Sequence, residues 1–165
     1  MAFKSQDHEE LIKLLQVSRE TIDSLNIYED LLLENNKKLN LIGKSTNNII
    51  KTRHILDSAQ VIDFIDKKSN ICADLGTGAG LPGIVLSIMF KEKKYPIRVD
   101  LYEKSPKKCQ FLNEVVKKLN LNVLIINKDV FEQRDLEADI IVARAFKPIQ
   151  SVFEIVSTRF KKFRK

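Results

Sequence analysis

One turn restricts the possible folds of this chain more than any other segment. The apolar run 71–75 contains an acidic residue, Asp74, and glycines follow at every second position, Gly76, Gly78 and Gly80. Glycine lets the backbone pass close to a ligand where a side chain would collide. The pattern predicts a strand, a tight turn and a helix, with an adenosine-type cofactor bound at the turn.

From residue 70 onward, short apolar runs alternate with helical patterns. This alternation predicts an α/β fold with a parallel sheet and right-handed crossovers. We expect strands over 71–75, 97–103, 122–126 and 138–143, and helices over 81–90, 106–119 and 149–160.

The first 66 residues have helical periodicity only. Helices are expected from Asp7, from Ser18 as an N-cap, and over about 47–66, where Phe64 is assigned to the buried side. The change of pattern predicts two parts, a helical cap over 1–66 and the α/β core over 67–165.

Acidic residues follow two further predicted strands. Glu103 ends the second strand, where its carboxylate can accept both hydrogen bonds of a ribose diol. Asp129 follows the third strand and can meet an adenine amino group. Because ligands bind beyond the carboxyl ends of strands in an open parallel sheet, these residues and the glycine turn predict a site for the methyl donor S-adenosyl-L-methionine.

Two other interpretations of the glycines stay open. Gly78-x-Gly80-x-x-Gly83 also satisfies the dinucleotide fingerprint, and Glu103 lies at about the right distance onward. A nicotinamide enzyme, however, would use many residues for a substrate domain after this unit, and few remain. The glycines are also compatible with a tight structural turn that binds nothing.

Composition narrows the class of protein. The net charge of +6 and the isoelectric point near 9.3 are compatible with an anionic partner such as nucleic acid, and equally with solvated lysines. Cys72 and Cys109 have neither metal-type nor redox-type spacing, so no metal is expected. There is no apolar run of membrane-spanning length and no secretion signal, which predicts a cytoplasmic protein without a membrane partner.

Four segments together resemble the bacterial small-subunit ribosomal RNA guanine-N7 methyltransferase family, RsmG, also called GidB. The pairing of Arg-His-x-Leu-Asp-Ser with a glycine turn that ends in Leu-Pro-Gly is specific, whereas many methyltransferases share the turn alone. The segments are Leu39-Asn40-Leu41-Ile42, residues 53–58, the turn over 74–83, and Ala143-Arg144-Ala145-Phe146.

The resemblance implies a Rossmann-like class I S-adenosyl-L-methionine-dependent methyltransferase with an N-terminal helical cap, acting on guanine N7 in 16S rRNA. Gly76 and Leu81 would line the methionine and ribose side of the cofactor, Glu103 would bind the ribose, and Asp129 with Val130 would bracket the adenine. The full set of expected cofactor-binding residues is Asp74, Gly76, Gly78, Gly80, Leu81, Glu103, Asp129, Val130 and Arg144.

Arg144 and Asn40 are the expected catalytic residues. The guanidinium of Arg144 would hold guanine O6 or a flanking phosphate in a bidentate manner, with an ion pair to Asp139 as the structural alternative. Asn40 would bind a base edge or the methionine end of the cofactor, and an ordinary loop cap is the alternative. Arg53 and His54 are expected at the RNA surface, Arg53 on a phosphate unless it is simply solvated, and His54 alternatively in packing.

Family members continue past the last helix into further strands, so the chain is expected to be shortened at its C-terminus. It would lack the last strands, and the fourth strand would be an exposed edge of the sheet. The expected partner is 16S rRNA or the precursor of the small ribosomal subunit, bound by a monomer. Two alternatives remain: a catalytically impaired, RNA-binding remnant, or a methyltransferase of the same fold that acts on a small molecule or a protein.

Overall fold

A computed structural model describes residues 15–43 and 54–162, with side chains up to residue 161. The helices are α1 (Arg19–Leu39), α2 (Asp57–Ala59), α3 (Gly83–Glu92), α4 (Pro106–Leu119) and α5 (Ile149–Arg159). The strands are β1 (Ile71–Leu75), β2 (Arg98–Tyr102), β3 (Val123–Ile126), β4 (Leu136–Glu137), β5 (Ile140–Val142) and β6 (Phe160–Lys162). Short 3-10 turns cover Gln60–Phe64 and Val130–Glu132.

The main sheet has four parallel strands in the order β3-β2-β1-β5. In β1, Asp74 lies opposite Leu101 of β2 and Val142 of β5. Within the described residues β5 pairs with β1 alone, so it forms an edge of the sheet. The predicted parallel α/β sheet is confirmed. Among the described residues, no helix is both long enough and apolar enough to span a membrane.

Each face of the sheet has its own hydrophobic core, because successive side chains of a strand point to opposite faces. Cys72 packs in the larger core, on the face covered by α1, α3 and α4. Ala73 and Leu75 belong to the smaller core, together with Ile155 of α5 and Phe160 of β6. The helices therefore enclose β1 between two packed layers.

Helix α1 begins at the predicted N-cap, Ser18, whose hydroxyl accepts a hydrogen bond from the Thr21 N–H. Its predicted apolar stripe is confirmed: the buried residues Ile22, Leu25, Tyr28, Leu31 and Leu32 recur at helical spacing. The helix ends at Asn40, which has a left-handed conformation with φ 50°.

The predicted helix over 47–66 is not regular in its described part. A π-helical turn over 54–56 leads into α2, and the 3-10 turn Gln60–Phe64 follows. Phe64 is 89% exposed, so its predicted burial is wrong. Phe64 lies two positions after the buried Ile62, and side chains two apart in a helix do not share a face, so Ile62 and Phe64 are not buried together. The predicted helix from Asp7 lies outside the described residues.

Two strands were not predicted. Leu136 in β4 aligns with Phe160 in β6, and together they form a separate parallel pair. A strand of two residues has no periodicity to detect, and β6 lies where the helix over 149–160 was expected to end. The burial of Phe160 shows why the pair forms, since it closes the smaller core.

Candidate cofactor and RNA site

The turn between β1 and α3 is held by Asp74, which is fully buried. Its Oδ2 accepts hydrogen bonds from the Thr77 hydroxyl at 2.6 Å and from the Gly83 N–H at 2.9 Å. Its Oδ1 is buried without a hydrogen-bond partner among the described residues. Burial raises the pKa of Asp74 to about 6, although both hydrogen bonds and the positive charge of Arg144 act in the opposite direction. Asp74 therefore braces the turn from within.

Two glycines of the turn, both in left-handed conformations, differ in the space beside them. A Cβ on Gly76 (φ +65°) would lie 2.1 Å from Cδ2 of Phe146, so the ring of Phe146 lies directly on this glycine. A Cβ on Gly78 (φ +58°) would meet nothing closer than 3.9 Å, and the N–H of Gly78 donates to Glu103 at 3.1 Å. The space beside Gly78 is open, whereas the space beside Gly76 is occupied.

Glu103 lies just beyond the carboxyl end of β2 and is 7% exposed. Its Oε2 accepts from the Gly78 N–H and its Oε1 from the Ser105 N–H, at 3.1 and 2.8 Å. An ionised carboxylate has about four acceptor positions, so about two remain available. That number suits the two hydroxyls of a ribose diol.

Asp129 caps the 3-10 turn Val130–Glu132 that follows β3. Its Oδ1 accepts from the Phe131 N–H at 3.1 Å, and its Oδ2 lies 3.5 Å from Nζ of Lys104. Val130 is buried against the smaller core. The cap therefore fixes the backbone that carries Val130 and Phe131 beside the strand ends.

A cavity of about 340 Å³ opens at the carboxyl ends of β1, β2, β3 and β5, which is within the usual size range of small-molecule sites. Four predicted cofactor residues line it: Gly76, Glu103, Asp129 and Val130. The other lining residues are Tyr102, Lys104, Lys108, Lys128, Phe131, Ala145, Phe146 and Lys147. Size, the open carboxylate positions and the strand-end location fit an adenosine-type ligand.

Other predicted cofactor residues lie outside the lining of this cavity. Leu81 is buried in the larger core, and a Cβ on Gly80 would collide with Ile84. Asp74 and Gly78 act through hydrogen bonds in the turn itself. The glycine turn thus divides into residues that face the cavity and residues that support them.

Arg144 lies just past the end of β5 and is half-buried. Its guanidinium is 3.0 Å from Nδ1 of His54, 90 positions away in the sequence. Its positive charge lowers the pKa of Asp74. It also lowers the pKa of Tyr28, which burial raises. The hydroxyl of Tyr28 donates to the Ala79 carbonyl at 2.9 Å. Arg144 is therefore close to α1, to the glycine turn and to the segment before α2.

Asp139, the alternative ion-pair partner of Arg144, lies before the opposite end of β5. Its Oδ2 accepts from the N–H groups of Asn70 and Ile71 at 2.6 and 3.2 Å, which fixes the start of β1. Asp139 therefore already has a structural role at the amino end of the sheet.

Asn40 does not line the cavity. Asn40 is the exposed C-cap of α1, and its N–H donates to the Asn36 carbonyl at 3.2 Å. Arg53 lies outside the described residues. Of the predicted RNA-surface and catalytic residues that the structure describes, Arg144 and His54 lie in contact.

Sequence reasoning missed the lysines and aromatic residues of the cavity wall. Lys104 and Lys108 follow β2, Lys128 follows β3, and Lys147 follows β5. They come from three separate segments of the sequence. Their position two to six residues after a strand end was the available signal, and it becomes visible only once the strand order is known.

A parallel sheet with a glycine turn after β1 and a carboxylate after β2 is typical of the class I S-adenosyl-L-methionine-dependent methyltransferase fold. Solved structures agree with this class. A protein from Methanococcus maripaludis whose name describes an S-adenosyl-L-methionine-dependent methyltransferase is 18% identical, with a TM-score of 0.54, over 86% of this chain and 59% of that one. M. jannaschii TYW2, solved with AdoMet, is 22% identical with a TM-score of 0.50, over 66% of this chain and 48% of that one.

The chain belongs to the GidB family, rRNA small subunit methyltransferase G, whose profile matches residues 21–163. Ribosomal RNA small subunit methyltransferase G of Pelagibacter ubique is 42% identical over 93% of this chain and 73% of that protein. The protein of the same name from a Jannaschia species is 38% identical over 83% of this chain. The chain covers 65% of that relative's length. The expected family and fold class are confirmed.

Proposed function

We propose that this chain transfers a methyl group from S-adenosyl-L-methionine to N7 of a guanine in 16S rRNA. The observation that carries the proposal is the family match over residues 21–163, which includes α1, the glycine turn and Arg144. The cavity beyond the strand ends supports it, since Glu103 and Asp129 face the same space.

The reaction asks little proton chemistry of the protein. Guanine N7 has a free lone pair at neutral pH, so no general base is needed. The cofactor supplies an electrophilic methyl group on a sulfonium. The residues must therefore position the two reactants, which can contribute up to roughly 7–11 kcal/mol in well-oriented cases. A site without a catalytic acid–base pair is consistent with this chemistry.

The cofactor residues divide by position. Glu103 would bind the ribose hydroxyls through its remaining acceptor positions, and Asp129 with Val130 would bracket the adenine. Gly76 and Leu81 would serve the methionine and ribose side, Gly76 by direct approach and Leu81 by supporting the turn from the core. Asp74, Gly78 and Gly80 would keep the turn in its binding conformation.

Arg144 would hold the target guanine through O6 or a flanking phosphate, with His54 as the neighbour that keeps its guanidinium in place. It would also approach the methionine end of the cofactor, since its charge reaches Asp74 in the turn. Asn40 and Arg53 complete the proposed set, Asn40 at a base edge or the methionine end and Arg53 on a phosphate.

The proposed organisation is a helical cap over 1–66 on a methyltransferase core over 67–165. The substrate would be 16S rRNA or the precursor of the small ribosomal subunit, bound by a monomer in the cytoplasm. The target base must leave its stack to reach the site. A cap that carries His54 beside Arg144 is in a position to receive such a base.

One contact favours a second candidate, an RNA-binding protein with impaired catalysis. The ring of Phe146 lies against Gly76, in the wall of the cavity where the cofactor would approach the turn. If this ring keeps its position, the methionine side of the cofactor has little space. The two candidates differ in cofactor binding, which a direct measurement distinguishes.

Calorimetry with S-adenosyl-L-methionine, followed by methyl transfer to 16S rRNA from cells that lack this modification, tests the proposal. Chemical cleavage of the RNA at N7-methylated guanine gives the position. We expect Glu103→Gln to weaken cofactor binding by about ten-fold or more, since hydrogen bonds to a charged group are lost. Glu114→Gln, on the exposed side of α4, is the matched control. Absence of binding heat at millimolar cofactor would contradict the enzyme proposal.

A further inference from the structure

The cavity wall has a net positive charge that the proposed cofactor does not explain. Four lysines line it, against two carboxylates, Glu103 and Asp129. S-adenosyl-L-methionine has two cationic groups and one carboxylate, so it is itself a cation. Lysines at the mouth of the cavity therefore do not attract this cofactor. They fit an anion that arrives from solvent.

These lysines are available for such an anion. Lys104 lies 3.5 Å from Asp129, yet its side chain is 75% exposed. Among the described residues, Lys108, Lys128 and Lys147 have no carboxylate within ion-pair distance. Two lysines elsewhere differ in this respect: Lys161 pairs with Asp135 at 2.9 Å, and Lys91 donates to the Leu119 carbonyl.

An aromatic side chain stands within the same cluster. Phe131 is 37% exposed, its ring centroid lies 6.0 Å from that of Phe146, and Nζ of Lys147 is 5.8 Å from it. Cations that follow a backbone, combined with an aromatic ring on which a base can stack, form the usual surface for single-stranded nucleic acid.

We infer that rRNA crosses the mouth of the cavity with its phosphates on a surface formed by Lys104, Lys108, Lys128 and Lys147, and with an unstacked base on Phe131. This lysine surface rests on the proposed function, since only an RNA substrate would use it. It lies on the β3 side of the segment after β5, whereas Arg144 turns toward α1. The RNA would therefore contact both sides of that segment, with the target guanine between them.

Salt dependence tests the surface. The surface variant replaces all four lysines of the lysine surface by glutamine. Its matched control removes the same charge from exposed positions at the amino end of the sheet. The control carries Lys67→Gln, Lys68→Gln, Lys93→Gln and Lys118→Gln. Binding of transcribed 16S rRNA is followed by anisotropy over a KCl series. Each phosphate contact on a single strand contributes about 0.7 to the slope of log K against log salt. The surface variant should lose about 3 from that slope and at least ten-fold in affinity near 0.1 M salt, whereas the control should lose less than 1.

Cofactor calorimetry on the same proteins separates the two proposals. We expect both variants to bind S-adenosyl-L-methionine within about two-fold of the parent chain. Equal salt slopes in the two variants would overturn the inference and leave the proposed function intact. Loss of cofactor binding in the surface variant alone would also overturn it, because the lysines would then serve the cofactor. Absence of cofactor binding in the parent chain would count against the proposed function instead.

Smaller variants guard against a folding defect. The pairs Lys104→Gln/Lys128→Gln and Lys108→Gln/Lys147→Gln should each reduce the slope by about 1.4. Phe131→Leu should weaken RNA binding about five-fold or more at unchanged slope, while Phe131→Tyr retains it, since stacking and not charge is removed. Equal affinity of Phe131→Leu and Phe131→Tyr would overturn the stacking role. Weakened binding of polyglutamate with unchanged RNA binding would point to an acidic protein and overturn the inference.

Discussion

Two of the units that consist of a strand, a turn and a helix are held very differently. In the unit β1–α3, the strand is buried from residue 72 to 75, and every residue of α3 from Gly83 to Phe90 is buried. In the unit β5–α5, the strand has three residues and the helix buries only Ile155. Ile149 and Phe153 of α5 are 60% and 65% exposed.

The difference follows from position in the sheet and matches the division of work at the site. β1 has a strand on each side, whereas β5 has one neighbour within the described chain. The first unit carries the turn that would receive the cofactor. The second carries Arg144, Phe146 and Lys147, which would handle the RNA and the cavity mouth. The residues proposed to handle the substrate thus lie on the unit with fewer buried residues, where local opening costs less.

The largest expected effect is on the free energy of unfolding, when the same substitution is made in α3 and in α5. Ile84→Ala in α3 removes a fully buried side chain and should lower the free energy of unfolding by about 2–5 kcal/mol. Ile149→Ala in α5 makes the same chemical change at a mostly exposed position and should cost about 0.5 kcal/mol or less. Urea unfolding of both variants gives the comparison. Similar losses would mean that α5 is covered in solution and that the two units are equally well held.

The second effect lies inside the unit β1–α3, the better-held unit, and depends on pH. Burial raises the pKa of Asp74 from its ordinary 3.8 to about 6, which corresponds to roughly 3 kcal/mol. Since the folded state keeps this proton longer than the unfolded state, the contribution of Asp74 to stability falls as pH rises from about 4 to about 6. Asp74→Asn mimics the protonated acid and should be more stable than the parent at pH 8, by up to about 3 kcal/mol.

At pH 4 the advantage of Asp74→Asn should largely vanish, because the parent is then protonated as well. Denaturant unfolding of both proteins at a series of pH values measures the difference directly. A constant difference across the series would show that the carboxyl of Asp74 does not titrate with a raised pKa.

The third effect is on activity and belongs to the unit β5–α5, the edge unit. Arg144→Ala should lower the rate of rRNA methylation by about a hundred-fold, because a misplaced target base loses alignment with the methyl group. Binding of S-adenosyl-L-methionine should fall much less than the methylation rate, since Arg144 would approach only the methionine end of the cofactor and Glu103 and Asp129 are untouched. Arg144→Lys should recover little, because lysine lacks the planar pair of donors. Unchanged rates in Arg144→Ala would contradict its role.

The sequence predicts the strands and helices of both units, and it misses β4 and β6, whose pairing joins distant segments of the chain. β1 coincides with the prediction because an apolar run of five residues, which includes Asp74, ends directly at the glycine turn. Both signals are properties of neighbouring residues. The same holds for Ser18 and the apolar stripe of α1, where capping and periodicity are properties of neighbouring residues. The predicted burial of Phe64 is wrong because residues two apart do not share a helix face, and Ile62 lies on the buried one.

Site residues follow the same division. Gly76 and Glu103 were recognisable because a glycine turn and a strand-end carboxylate are local signals. The lysine surface was not, since its members come from three strand ends and only the order β3-β2-β1-β5 brings them together. The contact of Arg144 with His54 joins positions 90 apart, and no spacing rule predicts it.

The smallest expected effect concerns how far the better-held unit extends. Glu92, the last residue of α3, accepts hydrogen bonds from the hydroxyls of Thr21 and Ser18 and from the Ser18 N–H, which ties α1 to α3. Helix α3 begins after Pro82 and α5 after Pro148, both without a side-chain cap, so this link comes from the last residue of α3. The bonds from Thr21 and Ser18 lower the pKa of Glu92.

Glu92→Gln should therefore lower the free energy of unfolding at pH 7 by roughly 1 kcal/mol, a modest value because the carboxylate is partly exposed. The matched control Glu34→Gln, exposed on α1, should cost less than about 0.5 kcal/mol. Since the pKa of Glu92 is lowered in the folded state, its contribution is present above the ordinary value of 4.5 and is lost as pH falls through the folded pKa. Urea unfolding at pH 7 and at pH 3 measures both parts. An effect of Glu92→Gln equal to that of its control would confine the better-held unit to β1 and α3, and α1 would then have to be held by its apolar stripe alone.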